Sequence, residues 1–280
     1  MDALEWCRQR LLVAGNPLTA SLPFAEPDQR DAIVALRAVA SEMSSMVNDV
    51  DERSVAEAKL SWWHQALREQ DNAHPALKAL RQAGVTARVS LDDFDAMVAA
   101  VQTTLDLPRF ENTHQAWAFF RQIGGQLSQM EGQLLADSNR PENGPDLADL
   151  GAAGYMIRVT RDLVIDARAN RWLVPLDLQA DYQVSRQDAL QSRSSRSFDG
   201  LVRSMLGEAL KRGERVRLDL SPELAWTHRH LLILWALDRR LAGMIARRPQ
   251  RIFERRVLPG HAGNVWQAWR EARRLKKARG

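Results

Sequence analysis

The 280-residue chain carries one cysteine, Cys7, which excludes an intramolecular disulfide framework and a cysteine cluster for zinc, and fits a reducing cytosol. Nothing in its surroundings suggests a nucleophile. Long apolar runs are also missing: no uninterrupted stretch approaches the roughly 18 residues that a membrane span needs. The first residues, Met1-Asp2-Ala3-Leu4-Glu5-Trp6, have neither the basic region nor the apolar core of an export signal. These absences predict a cytoplasmic protein that is neither exported nor integral to a membrane. A phosphate-cradling glycine loop is lacking. The serines at 192, 194, 195 and 197 alternate with arginines in a loop-like stretch, without a Gly-x-Ser-x-Gly elbow or an accompanying triad. Strand signals are scarce and short, as in Val216-Arg217-Leu218. Internal repeats and low-complexity tracts are absent.

What is present begins with 45% hydrophobic residues, enough for a substantial core, and a net charge of +4. That charge hides a division along the chain. Residues 1–150 hold 13 basic against 22 acidic residues, a net −9, and residues 151–280 hold 26 against 13, a net +13. The excess concentrates between His228 and Arg256 and in a tail from about Arg270 to Arg279. A basic half suits an anionic substrate such as a diphosphate, a lipid headgroup surface, or a protein partner. Nucleic acid comes last, because nothing resembles a groove-reading module. Trp235, Trp266 and Trp269 lie in these basic stretches at apolar helical positions, which places all three in the expected core rather than on a base-stacking surface. His228 and His230 are two apart, a spacing that turns their rings away from each other on a helix and argues against a metal pair. His64, after Trp62-Trp63, is expected at the surface.

Apolar residues recur with helical period nearly throughout. The run Ala32-Ile33-Val34-Ala35-Leu36 continues through Val39 into Met43, Met46 and Val47, a stripe carried by good helix formers. Further segments of this kind cover roughly 54–69, 75–83, 91–106, 114–136, 147–169, 198–212, 222–247 and 263–277. Turn signals fall between them, at Asn16-Pro17, Glu26-Pro27, His74-Pro75, Leu107-Pro108, Val174-Pro175 and Leu258-Pro259-Gly260. Ser90 and Ser221-Pro222 stand where helix caps belong. The segment 139–146 is rich in turn formers and too short to separate domains. The pattern predicts one all-α domain over residues 1–280.

Among these helices the most informative segment is Arg161-Asp162-Leu163-Val164-Ile165-Asp166-Ala167-Arg168-Ala169-Asn170-Arg171. Two carboxylates four residues apart stack on one helix face, about 5–6 Å apart at Cβ. Such a pair can hold Mg2+ against a diphosphate, since Mg2+ favours one or two carboxylates with water and phosphate oxygens. It can equally belong to a salt-bridge row with Arg158, and spacing alone leaves both readings open.

The segment from Gly151 to Pro175 resembles the second aspartate-rich motif of the squalene and phytoene synthase family, a helix ending in the pattern RDxxxDxxxGRxYLP. Arg161, Asp162, Asp166, Arg171 and Pro175 match, while Asn170 replaces the glycine and Leu173-Val174 the Tyr-Leu pair. Phe119-Phe120-Arg121-Gln122-Ile123-Gly124-Gly125 resembles that family's small-residue helix, and Arg30 to Leu36 followed by Ala58-Lys59-Leu60-Ser61-Trp62-Trp63 its first motif region. Ile252 to Val257 resembles its last helical stretch, so the likeness spans about 15–270 in family order. The resemblance implies an isoprenoid-synthase-like helical bundle around an apolar cavity, with two facing aspartate-rich helices that bind Mg2+ and condense two prenyl diphosphates head to head. It assigns Asp162 and Asp166 as catalytic metal ligands, Arg161, Arg168 and Arg171 to the diphosphate, and Gly124 and Gly125 to close approach of the substrate, a role that helix packing explains equally well.

The first motif departs from the pattern. Ser44 and Asn48 occupy the places of the two chelating aspartates, Ser41 that of the motif arginine, and Arg158 and Tyr155 those of the usual asparagine and glutamine. Neutral oxygens are poor Mg2+ ligands. Glu42 and Asp49 cannot rescue the site together, being about 10 Å apart along a helix, although Asp49 matches the acidic residue that trails the motif. Three readings follow: a family fold that binds a prenyl diphosphate or isoprenoid lipid without condensing it, an active Mg2+-dependent transferase with half its metal site, or a non-catalytic assembly or interaction factor. A peripheral membrane surface is compatible with each.

Overall fold

A computed structural model describes residues 2–48, 52–136, 145–191 and 193–280, and within them it is all helix, with no strand. The first half contains α1 (Ala3–Leu11), α2 (Pro17–Ser21), α3 (Arg30–Asn48), α4 (Arg53–Ala66), α5 (Pro75–Gln82), α6 (Leu91–Leu105), α7 (Thr113–Phe120) and α8 (Gln126–Leu135). The second contains α9 (Ala148–Arg168), α10 (Leu176–Tyr182), α11 (Arg186–Ala189), α12 (Arg196–Asp219), α13 (Pro222–Thr227), α14 (Arg229–Arg247), α15 (Arg251–Glu254) and α16 (His261–Arg279). The helices begin where capping chemistry dictates. Ser90 and Asp93 form a reciprocal capping box on α6. Proline occupies the first turn of α2, α5 and α13, where its missing N–H costs nothing.

Three expected segments differ from what the sequence predicts, each for a local reason. The segment expected at 114–136 is interrupted by a π turn over Arg121–Gly125, a wide turn frequent at functional sites. The segment expected at 222–247 divides at His228, which ends α13. The strand-like Val216-Arg217-Leu218 instead completes α12, where Arg217 pairs with Glu214 one turn earlier. Residues 137–144, most of the expected 139–146 loop, lie outside the described residues.

The core gathers both charge halves around α3, α9 and α14. Trp63, Trp235, Phe94, Phe120 and Phe198 are fully buried in it, and truncating any of them to alanine is expected to cost about 3–5 kcal/mol. Helix α9 lies against α12 on one side and the π turn on the other, and α16 covers the outer side of α14. Trp266 and Trp269 correct the sequence expectation. The buried face of α16 consists of Asn264, Ala268, Glu271, Ala272 and Leu275, and the small Ala268 and Ala272 let it sit closely on Ile233 and Leu237 of α14. The two indoles fall outside that stripe and are exposed, 59% and 40%. Of the tryptophans expected in the core from the basic half, only Trp235 is there. The basic tail from Arg270 forms the last turns of α16. His64 is at the surface, 3.0 Å from Asp95.

Candidate ligand cavity and the aspartate pair

A cavity of about 380 Å3 opens between α3 and α9, near the lower end of the roughly 300–1,000 Å3 typical of small-molecule pockets. Helix α3 lines it with Arg37, Ala40, Ser41 and Ser44, and α9 with Leu150, Gly151, Tyr155 and Arg158, sets spaced by three and four residues as one helix face requires. Met97, Val101, Ile123, Leu127, Leu231 and Leu234 make much of the remaining wall apolar. The π turn and α9 approach closely because they meet at glycines. A Cβ on Gly151 would stand 2.1 Å from the Gly124 carbonyl oxygen, and one on Gly124 would stand 2.5 Å from the Gly151 carbonyl oxygen.

Two internal ion pairs sit in the wall. Arg37 grips Glu131 with both prongs of its guanidinium, Nη2 donating to Oε2 at 2.7 Å and Nε to Oε1. The Glu131 side chain is wholly buried. Arg158 Nη1 donates to Asp238 Oδ2 at 2.9 Å and to Oδ1 at 3.2 Å. Gly154 makes room for that carboxylate, since a Cβ there would lie 2.3 Å from Asp238 Oδ2. Burial pushes the Asp238 carboxyl above its ordinary range, opposed by the positive charges of Arg158, Arg37 and Arg161. Burial also lifts the Tyr155 phenol to about 12, with Asp166 adding to the rise.

Beyond the cavity the same face of α9 continues through Asp162 and Asp166, which follow Tyr155 by seven and eleven residues. Both carboxylates are held by arginine. Asp162 accepts from Arg161 at 2.9 and 2.5 Å and from Arg256 at 2.9 and 2.8 Å. Burial works to raise its carboxyl, but these hydrogen bonds outweigh it and the net direction is down. Asp166 accepts from Arg171 Nε at 3.2 Å and Nη2 at 2.8 Å. Burial wins there, raising the carboxyl despite Arg171. The helix end explains the second pair. Asn170 takes the left-handed conformation with φ of 59°, Arg171 N–H donates to Asp166 C=O at 2.8 Å, and Asn170 N–H donates to Ala167 C=O at 3.2 Å. This is a Schellman turn, in which asparagine tolerates the conformation that glycine otherwise supplies. The turn brings Arg171 back over Asp166.

The structure thus unites Asp162, Asp166, Arg161 and Arg171, with the arginines engaged by the aspartates themselves. Arg168 is exposed on another face of α9, turned about 120° from Asp162 at 100° per residue. Gly124 borders the cavity, whereas Gly125 packs on Ala148, whose carbonyl oxygen would be 2.7 Å from an added Cβ. Ser44 lines the cavity, its hydroxyl donating to Ala40 C=O at 2.8 Å. Asn48 is the last residue of α3, and Asp49 lies outside the described residues. Sequence reasoning missed Glu131, Asp238 and Arg256, which reach the site from elements distant in the chain. One indirect signal concerned Asp238 alone: Arg158, standing in place of an uncharged residue, is its partner.

The described donors do not form a magnesium cluster. Among the described residues no three His, Cys, Asp or Glu side chains converge on a common point, and a cation at Asp162 or Asp166 would have to displace a guanidinium from each. Counting Arg37, Arg158, Arg161, Arg171 and Arg256 against Glu131, Asp238, Asp162 and Asp166, the wall and mouth come near to charge balance with no metal.

The family model for squalene/phytoene synthase matches residues 15–262. Among solved structures, a dehydrosqualene synthase in complex with ligand superposes with a TM-score of 0.82 at 15% identity, covering 98% of this chain and 97% of that one. YisP from Bacillus subtilis strain 168 gives 0.73 at 15% identity, with 95% of each chain covered. Squalene synthase HpnC from Alicyclobacillus acidocaldarius gives 0.69 at 14% identity, with 88% of this chain and 93% of that one. These likenesses establish the all-α isoprenoid-synthase fold. Comparison with curated protein sequences gives no match.

Proposed function

The chain belongs to the squalene/phytoene synthase family, and we propose that it binds a prenyl diphosphate or a related isoprenoid lipid in the α3–α9 cavity without condensing two of them. Head-to-head condensation begins by ionising an allylic diphosphate, so a cation must take up the charge of the departing pyrophosphate while water is kept from the carbocation. The observation that carries the reading is the state of the surviving pair: Asp162 and Asp166 are committed to Arg161, Arg256 and Arg171, and Ser44 faces the cavity where a partner carboxylate would be needed. Mg2+ affinity is therefore low.

Since the mouth arginines already hold carboxylates, most of the affinity comes from the apolar chain, and headgroup charge adds little. Melting the protein with farnesyl diphosphate and with farnesol, each with Mg2+ or with EDTA, tests this. At a hundred times Kd a ligand stabilises by about 2.7 kcal/mol, a rise of roughly 5–10 °C at 2–4 °C per kcal/mol. Similar rises for both ligands, indifferent to EDTA and abolished in Ala40→Phe, which fills the cavity, are expected. A rise confined to the diphosphate and dependent on Mg2+ overturns the proposal and returns the chain to the metal-dependent transferases.

A further inference from the structure

We propose that the outer face of α16 docks on an anionic lipid bilayer, lying in its surface. The face is built in two parts on one line of the helix. Trp266, Trp269, Arg273 and Lys277 follow one another at spacings of three, four and four residues, so they share one side. Both indoles and Val265 beside them are exposed, at 59%, 40% and 46%. The indoles stack on each other with ring centroids 5.0 Å apart, and the Arg273 guanidinium lies over Trp269 at 4.8 Å. Arg270, Arg274, Lys276 and Arg279 add to the charge, while the helix's one acid, Glu271, is turned into the protein and paired with Arg274.

The chemistry selects the partner. Tryptophan places an apolar ring and a polar N–H at the boundary between hydrocarbon and water, and lysine and arginine beside it are drawn to anionic headgroups. Exposed aromatic and aliphatic groups with a cationic flank and no acid on that face match an interfacial helix. No helix among the described residues is long and apolar enough to cross a membrane, so the contact is with the surface. A duplex nucleic acid would use the cations but leave Val265 and the stacked indoles against water. The position also fits a protein with an apolar cavity. The inner side of α16 rests on Ile233 and Leu237 of α14, whose Leu234, Trp235 and Asp238 line that cavity. The inference does not depend on what the cavity holds.

Flotation with phosphatidylcholine vesicles, and with vesicles made half of phosphatidylglycerol, tests the proposal. Binding to the anionic vesicles at least tenfold tighter than to the neutral ones is expected, weakening with salt. Trp266→Ser/Trp269→Ser and Arg273→Glu/Lys277→Glu should each lower the partition coefficient tenfold or more, while circular dichroism melting stays within a few degrees of wild type because these side chains are exposed. Equal binding by the variants, no binding to anionic vesicles, or binding to a 30-base-pair duplex in preference to vesicles overturns it.

Discussion

Replacing Arg37 by methionine isolates what the ion pair in the cavity wall contributes. The substitution keeps a long unbranched side chain and removes the charge that holds Glu131, whose side chain has no solvent exposure. An acid left buried without its partner typically costs 3–5 kcal/mol, which at roughly 2–4 °C per kcal/mol lowers the melting temperature by about 6–20 °C. Glu131→Gln should cost less, about 1–3 kcal/mol, since the amide oxygen still accepts from Arg37 and the guanidinium retains 24% exposure. The double variant Arg37→Met/Glu131→Leu leaves neither charge and should recover most of the loss, because apolar replacement of a whole buried pair is often neutral or stabilising. Urea unfolding of the wild type, Arg37→Met, the single variant Glu131→Leu and the double variant completes the cycle. A loss below about 1 kcal/mol in Arg37→Met, or strictly additive losses in the double variant, would refute the claim that Glu131 is a buried charge stabilised by Arg37.

Other expectations follow from the same structure. Gly151→Ala should destabilise by about 1–3 kcal/mol through overpacking, since its Cβ meets the Gly124 carbonyl oxygen at 2.1 Å, whereas Gly243→Ala, with nothing within 4 Å, should stabilise by about 0.5–1 kcal/mol; thermal melts separate the two. Burial depresses His228 and His230 from 6.5 to about 4. The unfolded chain takes up their protons first, so stability is full above pH 6.5 and falls as the pH drops toward 4, by about 3 kcal/mol for each ring at 1.36 kcal/mol per unit. For His230 burial outweighs a backbone hydrogen bond with Ser21 that favours the charged ring, so His230→Leu should lose less stability on acidification than the wild type, as denaturant titrations at pH 7 and 4.5 would show. Arg256→Ala removes one of the two arginines on Asp162 and should raise that carboxyl, detectable by carbon-13 NMR titration, with a small effect on stability because the Arg256 side chain is 53% exposed.

The fold was legible because its signals are local and mutually consistent: the stripe from Ile33 to Met43, the Ser90 and Ser221 caps, and the prolines that open α2, α5 and α13 all act within a few residues. The Asp162/Asp166 face was legible for the same reason. What lay beyond was the company those residues keep. Arg256 is 94 residues from Asp162, Glu131 is 94 from Arg37, and Asp238 is 80 from Arg158, and periodicity within one helix carries no information about which side chain another helix brings opposite. The outward turn of Trp266 and Trp269 was hidden for a related reason. Both lie on an apolar-looking stripe, and only the seat of Ala268 and Ala272 on α14 decides which side of α16 is buried.

On the proposed function, the arginine-saturated aspartate pair does not support condensation. The most direct test is release of pyrophosphate from the purified protein incubated with farnesyl or geranylgeranyl diphosphate and Mg2+. No release above the rate of a heat-denatured control is expected. Release that proceeds in the intact protein and disappears in Asp162→Asn would contradict the proposed function.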